Sequence, residues 1–224
     1  MSIAQLIRSF SAQSTLPLYL LHTLNNPNAY GTSDNDQFGY SVSVDGNYAI
    51  VGAPYEGDAG GTYSGKVYIF DVTTSSLLRT LNNPNAYGTS ASDNFGSSVA
   101  ISGNRVAVGA LYEDDAGGTQ SGKVYIFDVT TGSLLRTLNN PNAYGTGTSD
   151  IFGISVAING NRVAVGASYE DDAGGTYSGK AYIFDVTTSS LLHTLHNPNA
   201  YGTSANDNFG SSVAISGNRV AVGA

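Results

Sequence analysis

The sequence predicts an all-β protein built of four tandem copies of one four-stranded antiparallel unit, and three observations carry the prediction. The heptapeptide Asn-Pro-Asn-Ala-Tyr-Gly-Thr begins at Asn26, Asn83, Asn140 and Asn197, a constant interval of 57 residues. Phe-Gly pairs at Phe38, Phe95, Phe152 and Phe209, and Gly-Ala pairs at Gly52, Gly109, Gly166 and Gly223, keep that interval without insertion. Within each period, short apolar runs are separated by Gly, Asn, Asp and Thr, the punctuation of hairpins rather than of helices.

The interval divides the chain into an N-terminal segment (1–24), whole repeats at 25–81, 82–138 and 139–195, and a partial repeat at 196–224. In the N-terminal segment Ile3, Leu6, Ile7 and Phe10 follow helical spacing, which predicts a short amphipathic helix over residues 3–10. Leu20 to Leu24 match Leu77 to Leu81, so this stretch reads as a strand that completes the last sheet. The second repeat shows the unit most clearly. Strand A, Ser97 to Ser102, alternates Val99 and Ile101 with small residues, and Gly103-Asn104 supplies a tight turn needing φ > 0. Strand B runs from Arg105 to Gly109. A loop over Leu111 to Gly122 is longer than a connector requires. Strand C spans Lys123 to Val129, and the Asp128 carboxylate is placed to accept N–H groups of the turn that follows. Strand D covers Leu134 to Leu138.

Strand C decides the architecture. Val124-Tyr125-Ile126-Phe127 is apolar on both faces, so its sheet has no wet side and must be packed between others. A ring of small sheets, a β-propeller, does this around an axis, and a β-solenoid does it along a line. Four strands with two tight hairpins per repeat favour the propeller; a single sandwich is the remaining alternative.

Phe95-Gly96-Ser97-Ser98-Val99-Ala100-Ile101 followed by Val106-Ala107-Val108-Gly109-Ala110 resembles the FG-GAP repeat of integrin α-subunit propellers, over roughly residues 25 to 224. The resemblance implies propeller blades, an extracellular or cell-surface setting, protein or glycan partners, and often calcium. The integrin-type calcium loop is not carried over: its place is held by Ser102-Gly103-Asn104-Arg105, or Asp45-Gly46-Asn47 in the first copy, too few oxygens for a hard cation. The chain is closer to the calcium-loop-free variants of microbial surface proteins.

A net charge of −8 disfavours nucleic acid, which needs a basic stripe, and anionic membranes, but suits divalent cations. No apolar run approaches the ~20 residues of a membrane span. No secretion signal is visible in the first 24 residues, so the resemblance alone speaks for export. Cysteine is absent, which excludes disulfides. Catalysis finds no support: no nucleophile–base arrangement and no phosphate loop opening a helix can be read.

The loops after strands B and D share a face, and most of the unusual chemistry lies in them. Candidate ligand-binding residues are Tyr30, Tyr87, Tyr144 and Tyr201 with Glu113, Asp114, Asp115, Glu170, Asp171 and Asp172. Glu56, Asp58, Asp115 and Asp172 could hold calcium; no other cofactor is expected. Asp36, Asp93, Asp150 and Asp207, just ahead of each Phe-Gly, read as caps of their own turns. His22 and His193 stand where Arg79 and Arg136 do, and His196 replaces an asparagine, as in ordinary surface drift. The last repeat lacks counterparts of strands C and D, so the chain either closes a four-bladed ring with its own N-terminal segment or exchanges ends with another copy. Ile3, Leu6, Ile7, Phe10, Leu20, Leu24, Val220 and Val222 are the residues expected to serve self-association. The expectation is a non-enzymatic scaffold for adhesion, surface coating or self-assembly, the alternative a lectin-like or cation-dependent binding module.

Overall fold

Hairpin turns fix where the chain reverses, and the sheets follow from them. The computed structural model describes residues 3–8, 19–28, 35–57, 61–85, 92–114, 118–141, 149–171, 175–198 and 205–224. Strands β1 (Ile3–Arg8) and β2 (Tyr19–Asn25) pair as a two-stranded sheet. Next come three four-stranded antiparallel sheets, each in sequential order: β3 (Ser41–Asp45), β4 (Tyr48–Ala53), β5 (Lys66–Asp71) and β6 (Leu77–Asn82); β7 (Phe95–Ser102), β8 (Arg105–Ala110), β9 (Lys123–Asp128) and β10 (Leu134–Asn139); β11 (Ser155–Asn159), β12 (Arg162–Ala167), β13 (Lys180–Asp185) and β14 (Leu191–His196). A final two-stranded sheet holds β15 (Ser212–Ser216) and β16 (Arg219–Gly223). The four strands per repeat predicted from the sequence stand where expected, with ends moved by a residue or two. In the tight turn of the second repeat Gly103 takes φ 59°, and Gly46, Gly160 and Gly217 do the same in theirs.

The helix expected over residues 3–10 is not formed. Ile3–Arg8 is a strand, running antiparallel to β2 from the Ile3–Asn25 pair to the Arg8–Tyr19 pair. The register slips opposite Leu6 and Ile7, where Leu21 of β2 is the extra residue: His22 pairs with Leu6 and Leu20 with Ile7. The β5–β6 ladder slips between Ile69 and Phe70 and the β13–β14 ladder between Ile183 and Phe184, the same point of the repeat. A helix of that length gains too few hydrogen bonds to stand alone, whereas the waiting edge of β2 supplies a ladder. Phe10 lies outside the described residues.

Neighbouring sheets pack face to face, and strand C is buried on both sides as its sequence requires. Val67, Tyr68, Ile69 and Phe70 are all at most 3% exposed. Alternate residues serve different neighbours. Ile50, Val67 and Ile69 of the first whole sheet pack with Phe95, Tyr125 and Phe127 of the second. Val124 and Ile126 of the second pack with Phe152, Tyr182 and Phe184 of the third. Phe38, Phe95 and Phe152 each pack on the tyrosine and phenylalanine of their own strand C: Phe95 lies 6.0 Å from the Tyr125 ring and 5.9 Å from Phe127, both edge-on. Where the backbones meet there is room only for glycine, since a Cβ on Gly109 would fall 2.2 Å from the Gly153 carbonyl oxygen. Ser98 Oγ donates to that same oxygen at 2.7 Å.

Polar contacts repeat the same step from sheet to sheet. Arg79 Nη2 donates to the Thr130 carbonyl at 2.8 Å, Arg136 Nε to that of Thr187 at 3.0 Å, and His22 Nε2 lies 2.9 Å from that of Thr73. The histidine thus takes over a turn-capping position rather than a free surface site. The β1–β2 pair sits beside β3–β6 as each whole sheet sits beside the next, with Leu24 buried among Phe38, Val51 and Phe70. Among the described residues no sheet is completed across the two ends: β1–β2 and β15–β16 are separate sheets.

Candidate functional site

Antiparallel order brings the loop after every second strand and the linker after every fourth strand to one face. The residues that organise this face come in three kinds. The first is a buried trio. Glu56, Glu113 and Glu170 are fully buried, although the sequence reads them as solvent-facing loop acids. Lys66, Lys123 and Lys180 donate to them at 2.8, 2.8 and 2.6 Å. Tyr68, Tyr125 and Tyr182 donate their hydroxyls to the same carboxylates at 2.6 Å. Burial, with the charge and hydrogen bond of Glu113 added, pushes the Tyr125 phenol far above its ordinary value, so it stays a donor. The trio ties the long loop to strand C and turns these carboxylates inward, away from calcium or a ligand in solvent. Glu, Lys and Tyr keep offsets of ten and twelve residues in each whole repeat, but so does every residue of an exact repeat, and the spacing alone does not single them out.

The second kind is a clamp on the linker between sheets. Asn83 Nδ2 donates to Asp93 Oδ2 at 2.9 Å, Asn140 to Asp150 at 3.0 Å, Asn197 to Asp207 at 2.9 Å and Asn26 to Asp36 at 3.0 Å. The aspartates ahead of Phe-Gly therefore hold the start of the preceding Asn-Pro-Asn segment, beyond the turn-capping role the sequence suggests. Burial first, and then the Glu113 charge, push the Asp93 carboxyl up to about 6; Asp150 rises to about 6 through burial and Glu170. An acid whose pKa is raised on folding adds stability below its unfolded value of 3.8 and loses it as pH climbs through about 6. Asp93→Asn and Asp150→Asn keep an acceptor for the asparagine without the charge. Each is expected to raise stability at pH 7.5 by about 1 kcal/mol after solvent screening, and to flatten the decline between pH 4 and 6.5, in urea titrations across pH. Asp71 and Asp128, in exposed turns, are held down to about 2 by Thr73 and Thr130 hydroxyls and turn N–H groups, so their contribution is lost only as pH falls through about 2.

The third kind is exposed aromatic surface. Tyr112, Tyr169, Tyr63 and Tyr177 are 38–43% exposed on this face. Of the other predicted residues, Asp114 and Asp171 cap their own loops, accepting the Gln120 and Tyr177 N–H groups at 2.8 Å. Tyr30, Tyr87, Tyr144 and Tyr201, with Asp58, Asp115 and Asp172, lie outside the described residues. Among the described residues no three His, Cys, Asp or Glu side chains gather as a metal group.

The FG-GAP repeat sequence model matches residues 28–70, 85–127, 143–184 and 199–224. The chain belongs to the FG-GAP repeat family. The matched spans run through strands A to C of each whole repeat and the two strands of the last, so family and fold agree on the unit. No curated protein matches the chain. Among solved structures it is similar to the computationally designed Ika4 protein, at 19% identity and a TM-score of 0.52, over 86% of this chain and 88% of that one. At that identity the likeness speaks for the propeller-like arrangement of FG-GAP sheets and for nothing further.

Proposed function

We propose that this FG-GAP chain is a non-enzymatic scaffold that assembles with copies of itself by completing a sheet between chains. The observation that carries the reading is the register of the half-sheets. β1 faces β2 as β5 faces β6, bulge included, so it is a strand C; β16 faces β15 as β12 faces β11, so it is a strand B. In whole sheets B pairs with C: Val163 with Phe184, Ala164 with Ile183, Val165 with Tyr182. Transferred to the half-sheets, Val220 would pair with Ile7, Ala221 with Leu6 and Val222 with Gln5 of another copy.

The open surfaces support the same partner. Val42 and Val44 on β3 are 60% and 56% exposed, whereas Val99 and Ile101, the same repeat positions on β7, are 8% and 7% exposed against the preceding sheet. On the side away from β7, β3 has no first strand packed on it among the described residues, and β15 of another copy is such a strand. A head-to-tail contact of this kind closes into a ring or runs on as a filament. Adhesion or coating at a cell surface is the use that fits such an assembly.

Light scattering of the purified chain should give a whole multiple of the 23.1 kDa monomer mass. Val44→Lys and Val222→Lys change residues outside the core, so both should retain the circular dichroism of the parent while shifting the mass to monomer. A parent that stays monomeric at about 100 µM, or variants that assemble as it does, would sink the reading.

A further inference from the structure

Sheets β3–β6, β7–β10 and β11–β14 each meet the sheet that follows through one close backbone approach and one polar seam. A Cβ on Gly52 would fall 2.1 Å from the Gly96 carbonyl oxygen, and one on Gly166 would fall 1.9 Å from that of Gly210, as at Gly109 and Gly153. Ser41, Ser98 and Ser155 donate their hydroxyls to those same three carbonyls at 2.7, 2.7 and 2.8 Å. At the far end of strand A a turn N–H reaches back to the preceding sheet: Gly103 donates to Asp45 Oδ2 at 2.6 Å, and Gly217 to Asn159 Oδ1 at 3.1 Å. Beside that turn Arg105 Nη1 donates to Asn161 Oδ1 at 2.7 Å, and Arg162 Nη1 to Asn218 Oδ1 at 2.6 Å. Donors and acceptors differ between the two sides, so each contact has a direction.

Two faces carry one half of this pattern with no sheet against them among the described residues. On β15 and β16, Ser212, Ala214, Arg219 and Ala221 are exposed, whereas Ala100 and Ala107, the repeat counterparts of the two alanines, are 8% and 0% exposed. Gly223 stands at the Gly109 position, yet the three atoms nearest to a Cβ there all belong to the side chains of Ser212 and Ser211, with no backbone oxygen among them. On β3 and the turn after it, Gly39 and Asn47 stand at the Gly96 and Asn161 positions. Gly39 holds φ 90° where Gly96 holds 92°, and Asn47 is exposed. Apolar contact is non-directional and by itself would let two such faces slide or meet in either sense. A close backbone approach with aligned hydrogen bonds fits one register.

Given the assembly proposed above, we infer that Gly223, Ser212 and Arg219 of one copy read Gly39 and Asn47 of the next, and that this pairing fixes the direction and register in which copies join. Gly223 takes the close approach to the Gly39 carbonyl, Ser212 donates to that carbonyl, and Arg219 donates to Asn47 Oδ1. The junction is therefore one-way: the β15–β16 face takes a β3–β4 face and does not take another β15–β16 face.

The test uses Val44→Lys and Val222→Lys, each blocked on one side of the junction. Mixed in equal amounts they should give, by sedimentation, a two-chain complex and nothing larger, because one open side remains on each. Gly223→Ala, added to the chain with Val44→Lys, should weaken that complex at least about 100-fold. It should leave the urea midpoint of the chain alone almost unmoved, since only a serine hydroxyl must turn aside. Arg219→Ala on the same chain should weaken the complex at least about five-fold. Asn47→Asp on the other chain should tighten it at least about three-fold at low salt, and only while Arg219 is present. A parent that stays monomeric removes the assembly and this junction with it. A parent that assembles overturns the junction alone if the mixed variants do not pair, if Gly223→Ala pairs as before, or if Asn47→Asp acts equally without Arg219.

Discussion

Replacing Gly109 by alanine is expected to destabilise the protein by more than about 3 kcal/mol, although the change adds one methyl group. The added carbon would fall 2.2 Å from the Gly153 carbonyl oxygen and 2.4 Å from Ser98 Oγ. The serine can turn away; the carbonyl is backbone of the next sheet and can move only if the interface opens. The informative comparison is Gly103→Ala, in the tight turn of the same sheet. Its Cβ would meet nothing within 4 Å, so only its φ of +59° is at stake, and the loss should be about 1 kcal/mol. Urea unfolding of the two variants separates close approach from backbone strain. Equal losses would mean that the sheets do not meet at this glycine. Because each sheet touches only its neighbours, the Gly109 change is also expected to broaden the transition by uncoupling the sheets on either side of the cut.

Glu113→Leu is the second large effect, a loss of about 3–5 kcal/mol. Glu113 is fully buried, with Lys123 Nζ at 2.8 Å and the Tyr125 hydroxyl at 2.6 Å. Removing the carboxylate leaves a mostly buried ammonium and a buried hydroxyl without their acceptor, and the desolvation of both goes uncompensated. Glu113→Gln keeps an acceptor for the hydroxyl and should lose less. The double change Glu113→Leu with Lys123→Met removes both charges and should recover much of the loss, with a coupling readable in a double-mutant cycle. If Glu113→Leu were neutral, the loop would not be anchored by this pair. In that case the inward position of the carboxylate, and with it the exclusion of these glutamates from a calcium site, would have to be given up.

Much of this architecture could be read directly from residue order. The 57-residue interval, the glycine turns and the doubly apolar Val-Tyr-Ile-Phe strand identified the four-stranded unit and its stacking, because hairpins and alternation are local properties. Ile3–Arg8 misled because apolar spacing over so short a run fits either element, and only the waiting edge of β2 decides between them. The candidate site was read less well. Glu56, Glu113 and Glu170 look like loop-tip acids, and nothing local says that each turns inward to a lysine ten residues later.

The residue order by itself determined that this FG-GAP chain is a set of equal antiparallel sheets, each with two apolar faces to hide. Tertiary packing decided which carboxylates are buried, and that β1–β2 and β15–β16 stand apart. The reason is that burial and convergence depend on the angle and distance between sheets, which are set by contacts such as Gly109 on Gly153 and Phe95 on Tyr125. These contacts join residues from distant parts of the chain, and a pattern read along one strand does not contain them.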